Sequence, residues 1–373
     1  PDGRYFAVTV PMEDRTVLAV IRRADFVATT KIMGRRDSVV DDFWWANNER
    51  VVVSMANRFG ARDEPVAIGE LHAVNADGKQ MRLLASPYGV REDPGLVSRV
   101  SNQLEPAVFM LDPLQGDQDH VLVSSVPLHS DPYVKIEKLN IYSRKRSPVA
   151  SAPVRRADFV ADAAGQVRFA HGAGVDNVAR LYYRDARGSE WRLVNDEGAT
   201  GRREFPLGLS ADGRTAYLQV EQAQGPDALF AWDIASGQYT ELLRDAVVDP
   251  FRILYALDGH TPAGASFMSD RVRMRFFDEK SPTARLYRSL EKVFETDAFH
   301  VTSATADGSE VLLYLWSDRN NGDYFLFNTV TKRGERLFSR REWLPPHTVP
   351  GSRPVNFAAR DGTRLHGYVT ERS

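Results

Sequence analysis

Two stretches of the chain come close to the Gly-x-Ser-x-Gly turn on which many hydrolases carry a nucleophilic serine. In that turn the glycines leave room around a serine held on a strained bend. Residues 208–212 read GLSAD and residues 264–268 read GASFM, so both lack the second glycine. The first is also one copy of a turn that recurs along the chain. The sequence therefore predicts no catalytic residue within these 373 residues.

Thiol and metal chemistry have no better support in the residue types. The chain has no cysteine, which excludes disulfides, thiolate catalysis and cysteine-ligated metals. The eight histidines form no His-x-x-x-His or His-Glu pair of the kind that binds zinc. We therefore expect neither a metal site nor a cofactor. The histidines are His72, His120, His129, His171, His260, His300, His347 and His366.

Polar, charged segments between strand-like runs are the remaining candidates for contact with a ligand. They are residues 57–70, 129–133, 269–273 and 317–324. In the first segment, Arg58, Arg62, Asp63 and Glu64 are predicted to contact a substrate or partner. The alternative is a solvated surface loop, which is the ordinary role of such segments.

The composition is that of a globular protein with an ample core. Of the 373 residues, 43% are hydrophobic and 26% are charged, and the net charge is -2. A nucleic-acid surface is not expected, because phosphate binding needs a clustered excess of Lys and Arg. The longest apolar run, residues 311–316, is far shorter than the roughly 20 residues of a membrane helix. We therefore expect no membrane partner, and the compartment stays open between periplasm and cytoplasm.

The elements that position the polar segments are predicted to be β-strands. Runs rich in Val, Leu, Phe, Tyr and Trp alternate with Gly or Asp-Gly turns throughout the chain. One turn, with the pattern Asp or Ala, any residue, Gly, recurs at intervals of 48, 46 and 49 residues. A nearly constant interval of this kind indicates a repeat architecture. The glycines that define it are Gly165, Gly213, Gly259 and Gly308.

Each interval contains four strand-like runs, which is the content of one β-propeller blade. A four-stranded sheet cannot bury both faces alone, and stacking against neighbouring sheets solves that problem. The predicted fold class is therefore all-β, a seven-bladed β-propeller with four antiparallel strands per blade. The predicted blades are residues 1–33 (with its inner strand truncated), 41–86, 105–153, 156–197, 203–245, 248–295 and 298–340.

The sixth blade departs from the repeat. In place of a last strand it has TARLYRSLEKVF, residues 283–294. Leu286, Leu290, Val293 and Phe294 fall on one face of a helix at that spacing, so we predict an amphipathic helix packed against the rim of the blade.

The chain finishes with a predicted hairpin, RPVNFAARDGTRLHGYVT at residues 353–370, built around an Asp-Gly turn. Seven repeats followed by this segment resemble the prolyl oligopeptidase family of serine peptidases, in particular its bacterial dipeptidyl- and acylaminoacyl-peptidase-like branch. The resemblance covers essentially the whole chain, and residues 112–125, 181–194 and 317–328 also carry it. In the hairpin the matching residues are Phe357, Asp361, Gly362, Leu365, Gly367 and Tyr368.

The resemblance implies a division into a propeller, residues 1–345, and a linker with the first strands of an α/β-hydrolase domain, residues 346–373. It implies that the parent protein hydrolyses short peptides and that its Ser, His and Asp lie beyond residue 373. Removal of a dipeptide would call for an acidic residue that holds the free amine, and Asp63 and Glu64 are the candidates for that residue. The expected partners are a short peptide and the chain's own C-terminal hydrolase domain, with self-association possible. We therefore expect this chain to be a fragment that has no peptidase activity alone.

Two other functions stay open at this point. The first is a non-catalytic propeller that serves as a protein-binding scaffold, whose reading frame would end near Ser373. The second is a propeller enzyme with a metal site in its channel, which would need carboxylates converging on a cation.

Overall fold

Almost every regular element of this protein is a β-strand. The computed structural model describes residues 2–60, 64–89, 104–186, 188, 190–345 and 348–371. In these residues seven antiparallel sheets follow one another along the chain, and a two-stranded hairpin comes last. The chain divides into two compact units, residues 1–208 and 209–373. The seven sheets confirm the predicted seven-bladed β-propeller, although in the described residues the first and sixth blades have three strands and not four.

Unit 1 contains the first four sheets, in each of which consecutive strands pair antiparallel. The first sheet has three strands, β1 (Tyr5–Pro11), β2 (Thr16–Arg22) and β3 (Val27–Met33). The second has four, β4 (Ser38–Trp45), β5 (Arg50–Asn57), β6 (Val66–Asn75) and β7 (Arg82–Ala85). The third has β8 (Ala107–Asp112), β9 (His120–Val126), β10 (Lys135–Asn140) and β11 (Arg146–Ser151). The fourth has β12 (Asp158–Ala161), β13 (Val167–Ala173), β14 (Ala179–Tyr183) and β15 (Arg192–Asp196), and α1 (Glu197–Thr200) follows it.

The fifth sheet begins at the boundary with β16 (Glu204–Leu209) and has three further strands in unit 2. These are β17 (Thr215–Val220), β18 (Ala228–Asp233) and β19 (Tyr239–Arg244). The sixth sheet has β20 (Pro250–Tyr255), β21 (Pro262–Met268) and β22 (Val272–Phe276), followed by α2 (Pro282–Val293). The seventh has β23 (Ala298–Ala304), β24 (Glu310–Trp316), β25 (Asp323–Asn328) and β26 (Arg333–Ser339). The hairpin consists of β27 (Ser352–Ala358) and β28 (Arg364–Thr370).

The middle strands of unit 1 are buried on both faces. Val51 and Val53 of β5 pack with Leu18 of the first sheet. Val52, which points the other way, packs with Val121 of the third sheet. Because successive side chains of a strand alternate between faces, each of these sheets has an apolar layer on either side. This explains why such strands read as continuous apolar runs in the sequence.

The sixth blade ends in a helix, as predicted, but the buried face of the helix differs from the prediction. Ser281 caps α2, because its Oγ accepts a hydrogen bond of 3.1 Å from the backbone N–H of Ala284. The buried side chains are Ala284, Tyr287 and Leu290, whereas Val293 is 61% exposed. The prediction that Val293 faces the blade is therefore wrong. The buried face of the helix contains the small Ala284 and the aromatic Tyr287, which pack with Phe299 of β23.

The predicted hairpin is present and turns at Gly362, whose φ of +85° lies in the region that glycine favours. Phe357 pairs with Leu365 across it, and their side chains are 57% and 40% exposed. Among the described residues, neither helix has the length and apolar character needed to cross a bilayer.

Candidate functional site

The loop that held the predicted contact residues lies in unit 1, between β5 and β6. Arg58 and Glu64 stand near its two ends and are exposed, while Arg62 and Asp63 lie outside the described residues. The backbone N–H of Arg58 donates to the Asp37 carbonyl at 2.8 Å. Within the described residues no hydrogen bond or ion pair joins Arg58 to Glu64. That these four residues contact a ligand stays a prediction.

Two of the other predicted segments meet in unit 2. The β21–β22 loop contains Ser269 and Asp270, and the β24–β25 loop contains Asp318. Both loops line one cleft with a volume of about 870 Å³, together with part of α2 and the hairpin. Loops that join the second and third strands of successive blades therefore lie together here, as the strand topology predicts.

The chain leaves the last sheet at this same edge. Ser339, the last residue of β26, stands opposite Asp323, the first residue of β25. The backbone N–H of Arg340 then donates to the carbonyl of Gly322 at 2.7 Å. Whatever follows the seventh sheet thus begins beside the β24–β25 loop.

The hairpin is fixed to both loops of the cleft. The backbone N–H of Ser352 donates to Asp318 Oδ2 at 2.6 Å. The hydroxyl of Tyr368 donates to the carbonyl of Ser269 at 3.2 Å. Both anchors lie at the open end of the hairpin, away from the Gly362 turn, because Ser352 pairs with Thr370.

Acidic side chains outnumber basic ones around the cleft. It is lined by six carboxylates and four guanidinium groups. The carboxylates belong to Asp245, Asp270, Glu291, Glu295, Asp297 and Asp318, and the guanidinium groups to Arg271, Arg273, Arg275 and Arg288. The chemistry of the cleft depends on which of these charges are paired.

Asp270 is held by a two-point ion pair. Arg273 donates from Nη1 to Oδ1 at 2.5 Å and from Nη2 to Oδ2 at 2.8 Å. The hydroxyl of Ser269 also donates to Oδ1, at 3.1 Å. These bonds, above all those from Arg273, lower the pKa of Asp270 to about 2. At neutral pH Asp270 is therefore ionised, and the positive charge of Arg273 balances its negative charge.

Arg288 on α2 forms ion pairs with two further carboxylates. It donates to Glu291 at 2.7 Å and to Glu279 at 2.8 and 3.1 Å, and it also reaches the carbonyl of Met274 at 3.1 Å. Its guanidinium lies 5.1 Å from the centre of the Phe276 ring. The hydrogen bonds from Arg288 lower the pKa of Glu279. Arg288 thus joins the helix to the sixth sheet.

Three other carboxylates of the cleft have uncharged partners within the part of the chain that the structure describes. Asp297 accepts from the side-chain amide of Asn320 at 3.2 Å. Asp318 accepts from the backbone of Ser352, and Asp245 accepts from the backbone N–H of Val247 at 2.9 Å. Their negative charge is consequently available to a cation. An arrangement of this kind can hold an amine.

The two serines of the near-match turns have structural partners. The hydroxyl of Ser210 donates to Asp212 Oδ1 at 2.6 Å and accepts from the backbone N–H of Thr215 at 3.0 Å, which closes the repeat turn. Ser266 is buried in β21, and its hydroxyl lies 3.5 Å from the carbonyl of Arg252. Neither hydroxyl is aimed at a histidine that would take its proton.

One histidine, one glutamate and one serine do lie together in the second sheet. Glu70 Oε1 lies 2.7 Å from His72 Nε2, and Glu70 Oε2 accepts from Ser86 Oγ at 3.1 Å. The hydrogen bond from His72 lowers the pKa of Glu70. Since the carboxylate lies between the ring and the hydroxyl, His72 is not placed to activate Ser86. The described residues also contain no group of three or more His, Asp or Glu side chains arranged to hold a metal ion.

Comparison with known proteins shows what the chain is similar to. No family model matches it. A curated relative, dipeptidyl aminopeptidase BIII of Pseudoxanthomonas mexicana, is 26% identical over 236 residues, which cover 63% of this chain and 34% of that protein. A solved structure from a study of two prolyl endopeptidases has a TM-score of 0.59 and 12% identity over 100% of this chain and 53% of its own. Prolyl oligopeptidase B from Galerina marginata has a TM-score of 0.56 and 10% identity over 98% of this chain and 52% of its own.

The chain has a propeller fold like that of the prolyl oligopeptidases. The family resemblance predicted from the repeat turns and the final hairpin is thereby confirmed. The chain spans about half the length of the solved relatives and about a third of the curated one. In this prolyl oligopeptidase-type propeller the acidic cleft lies where the chain leaves the seventh blade.

Sequence reasoning found the loops of the cleft but not the residues that define it. Residues 269–273 and 317–324 are among the polar segments that the sequence offers as candidates, but the sequence does not single out Asp270, Arg273 or Asp318. The spacing of Asp270 and Arg273 was a usable signal, because a carboxylate and a guanidinium three residues apart across a tight turn readily pair. Asp297 had no such signal, since its partner Asn320 is 23 residues away.

Proposed function

We propose that this propeller belongs to a serine peptidase that hydrolyses short peptides, and that it helps bind and admit the substrate of a separate catalytic domain. In this proposal residues 1–345 are the propeller, and residues 346–373 are a linker and the first strands of an α/β-hydrolase domain. The dipeptidyl aminopeptidase relative and the peptidase structures of the same fold support the activity class.

The observation that carries the proposal is the position of the hairpin. It starts beside the edge where the chain leaves the seventh sheet, and it is anchored to the sixth and seventh blades through Ser269 and Asp318. Its far end exposes the apolar pair Phe357 and Leu365. A two-stranded sheet is marginal alone in water, so this exposed pair suits a hairpin that continues into a larger sheet.

The catalytic domain would then lie over the face that holds the cleft. Its serine would attack the peptide carbonyl, its histidine would move the proton, and its aspartate would orient the imidazole. The propeller would restrict entry to short or unfolded peptides. Within the cleft, Asp297 and Asp318 are suited to hold the positively charged amino end of such a peptide.

The test is a comparison of two proteins made from the same gene. One is the chain of residues 1–373, and the other is the product of the complete reading frame. Both are assayed with short chromogenic peptides, some with a free amino end and some acetylated. We expect turnover by the longer protein and none by residues 1–373. Turnover by the shorter chain, or a complete reading frame without peptidase activity, would contradict the proposal, and the second result would favour a binding scaffold.

A further inference from the structure

A second, smaller pocket of about 320 Å³ lies beside the cleft in unit 2. It is bounded by the start of β20, by His300 of β23, by the end of β24 and by the β24–β25 loop. Trp316 and Ser317 line both the pocket and the cleft. A molecule lying in the cleft can therefore extend a side group or an end into the pocket.

Three aromatic rings form a continuous wall of this pocket. The ring centre of His300 lies 5.4 Å from that of Tyr314 and 5.4 Å from that of Trp316. Tyr314 and Trp316 are themselves stacked, with centres 5.7 Å apart. Phe251, at the start of β20, is 49% exposed at the pocket. Such a wall suits an apolar or planar group.

Two of the residues that line this pocket each have a buried polar atom without a partner. His300 Nδ1 and Asn321 Nδ2 are buried, and neither has a hydrogen-bond partner within the described residues. A buried polar group without a partner costs free energy, and such groups are rare in folded proteins. Asn321 Nδ2 can only donate, so it calls for an acceptor. These orphaned atoms point to a ligand that supplies the missing acceptor.

The pocket is also positively charged. Arg252 and Arg341 both line it, and no ion pair engages either of them among the described residues. Burial, with the charge of Arg252 as a second cause, lowers the pKa of His300 to about 4. His300 is therefore uncharged at neutral pH, and the positive charge of the pocket comes from the two guanidinium groups. Guanidinium groups prefer carboxylates, which they bind through paired hydrogen bonds.

We propose that this pocket binds a carboxylate attached to an apolar group. Arg252 and Arg341 pair with the carboxylate, Asn321 Nδ2 donates to it, and the apolar part lies against Trp316. The chemistry follows from the pocket alone, whereas identification of the ligand as a peptide rests on the proposed function. A peptide has two sources of such a carboxylate, its C-terminus and an acidic side chain.

Calorimetric titration of the full chain at neutral pH tests the proposal with three acetylated tripeptides. Ac-Ala-Ala-Phe has a terminal carboxylate, its amide has none, and Ac-Ala-Asp-Phe amide has only a side-chain carboxylate. We expect at least one carboxylate probe to bind about tenfold or more tightly than the plain amide. The acidic probe that binds more tightly shows whether the carboxylate comes from the C-terminus or from an acidic side chain. Equal affinity for all three, or no binding of either acidic probe, overturns the proposal.

Variants locate the site. Arg252→Ala and Arg341→Ala are each expected to lower the affinity for the acidic probe about tenfold. Asn321→Asp, which places a negative charge in the pocket, is expected to abolish binding. The matched control is Arg340→Ala, because Arg340 is the exposed neighbour of Arg341 and does not line the pocket. Unchanged affinity in the first three variants overturns the proposal, and should one fail to fold, the amide comparison on the unaltered chain still decides.

The titration separates this inference from the proposed function. It requires no turnover, so binding of acetyl-phenylalanine, a single amino acid, supports the pocket even if no peptidase activity is found. Conversely, a peptidase whose pocket binds none of the acidic probes refutes only the carboxylate site.

Discussion

The hydroxyl of Tyr368 donates a hydrogen bond of 3.2 Å to the carbonyl of Ser269, 99 residues earlier in the chain. This bond, with the one from Ser352 to Asp318, holds the final hairpin across two loops of the propeller. The hairpin thereby becomes one wall of an acidic cleft.

Tyr368→Phe should loosen the hairpin without unfolding the blades. The substitution removes one hydrogen bond, worth about 0.5–1.5 kcal/mol, and keeps the ring. We expect faster amide hydrogen exchange in β27 and β28 and unchanged exchange in β23 and β24. Tyr88→Phe is the control, because Tyr88 is 72% exposed. Unchanged exchange in the hairpin would show that the bond does not anchor it.

The Asp270–Arg273 pair should persist in acid. Because the pKa of Asp270 is lowered from 3.8 to about 2, its contribution to stability is fully present above about pH 4 and is lost as the pH falls through 2. NMR titration of labelled aspartate should give a midpoint near 2 for Asp270 and a value closer to 3.8 in Arg273→Gln. A midpoint that is the same in both proteins would refute the pairing.

Asp297→Asn should weaken recognition of a free amino end. If Asp297 holds the amine of a substrate, the longer protein with this change should show a KM raised about three- to tenfold for peptides with a free amino end. The kcat should change little, and acetylated peptides should be unaffected. Glu49→Gln, an exposed change in unit 1, is the matched control. An equal effect on free and acetylated peptides would exclude this role.

Arg50→Ala should destabilise unit 1 strongly. Arg50 is 1% exposed and donates to the carbonyl of Ile141 at 3.1 Å and to Asn75 Oδ1 at 2.6 Å, and its guanidinium lies 4.7 Å from the centre of the Tyr142 ring. The substitution leaves a cavity and two buried oxygen acceptors without their partner, which together cost about 3 kcal/mol or more. Urea unfolding measures this loss. Arg214→Ala, whose side chain is 85% exposed, should stay within about 0.5 kcal/mol of the unaltered chain.

The repeat made most of the fold predictable. The near-constant spacing of Gly165, Gly213, Gly259 and Gly308 located the blades, because each glycine adopts the positive φ that its tight turn requires. The face of α2 was harder to predict. Val293 fits the apolar spacing, but the neighbouring sheet accepts Tyr287 instead, and that choice depends on the shape of the blade.

The sites were less predictable than the fold because their residues come from distant parts of the chain. Asp297 meets Asn320, Ser352 meets Asp318, and His300 meets Trp316 only after the blades have formed. Polar loops signal an exposed surface, but they do not show which charges remain unpaired. Paired and unpaired charges can be told apart only from the distances between side chains in the folded protein.

Labelling with a fluorophosphonate, which reacts with an activated serine, tests the central claim most directly. Mass spectrometry of the product of the complete reading frame should find the label on one serine outside residues 1–373, and residues 1–373 expressed alone should remain unlabelled. A label on any serine within residues 1–373, or a complete protein that takes up no label, would contradict the assignment of this chain as the propeller of a serine peptidase.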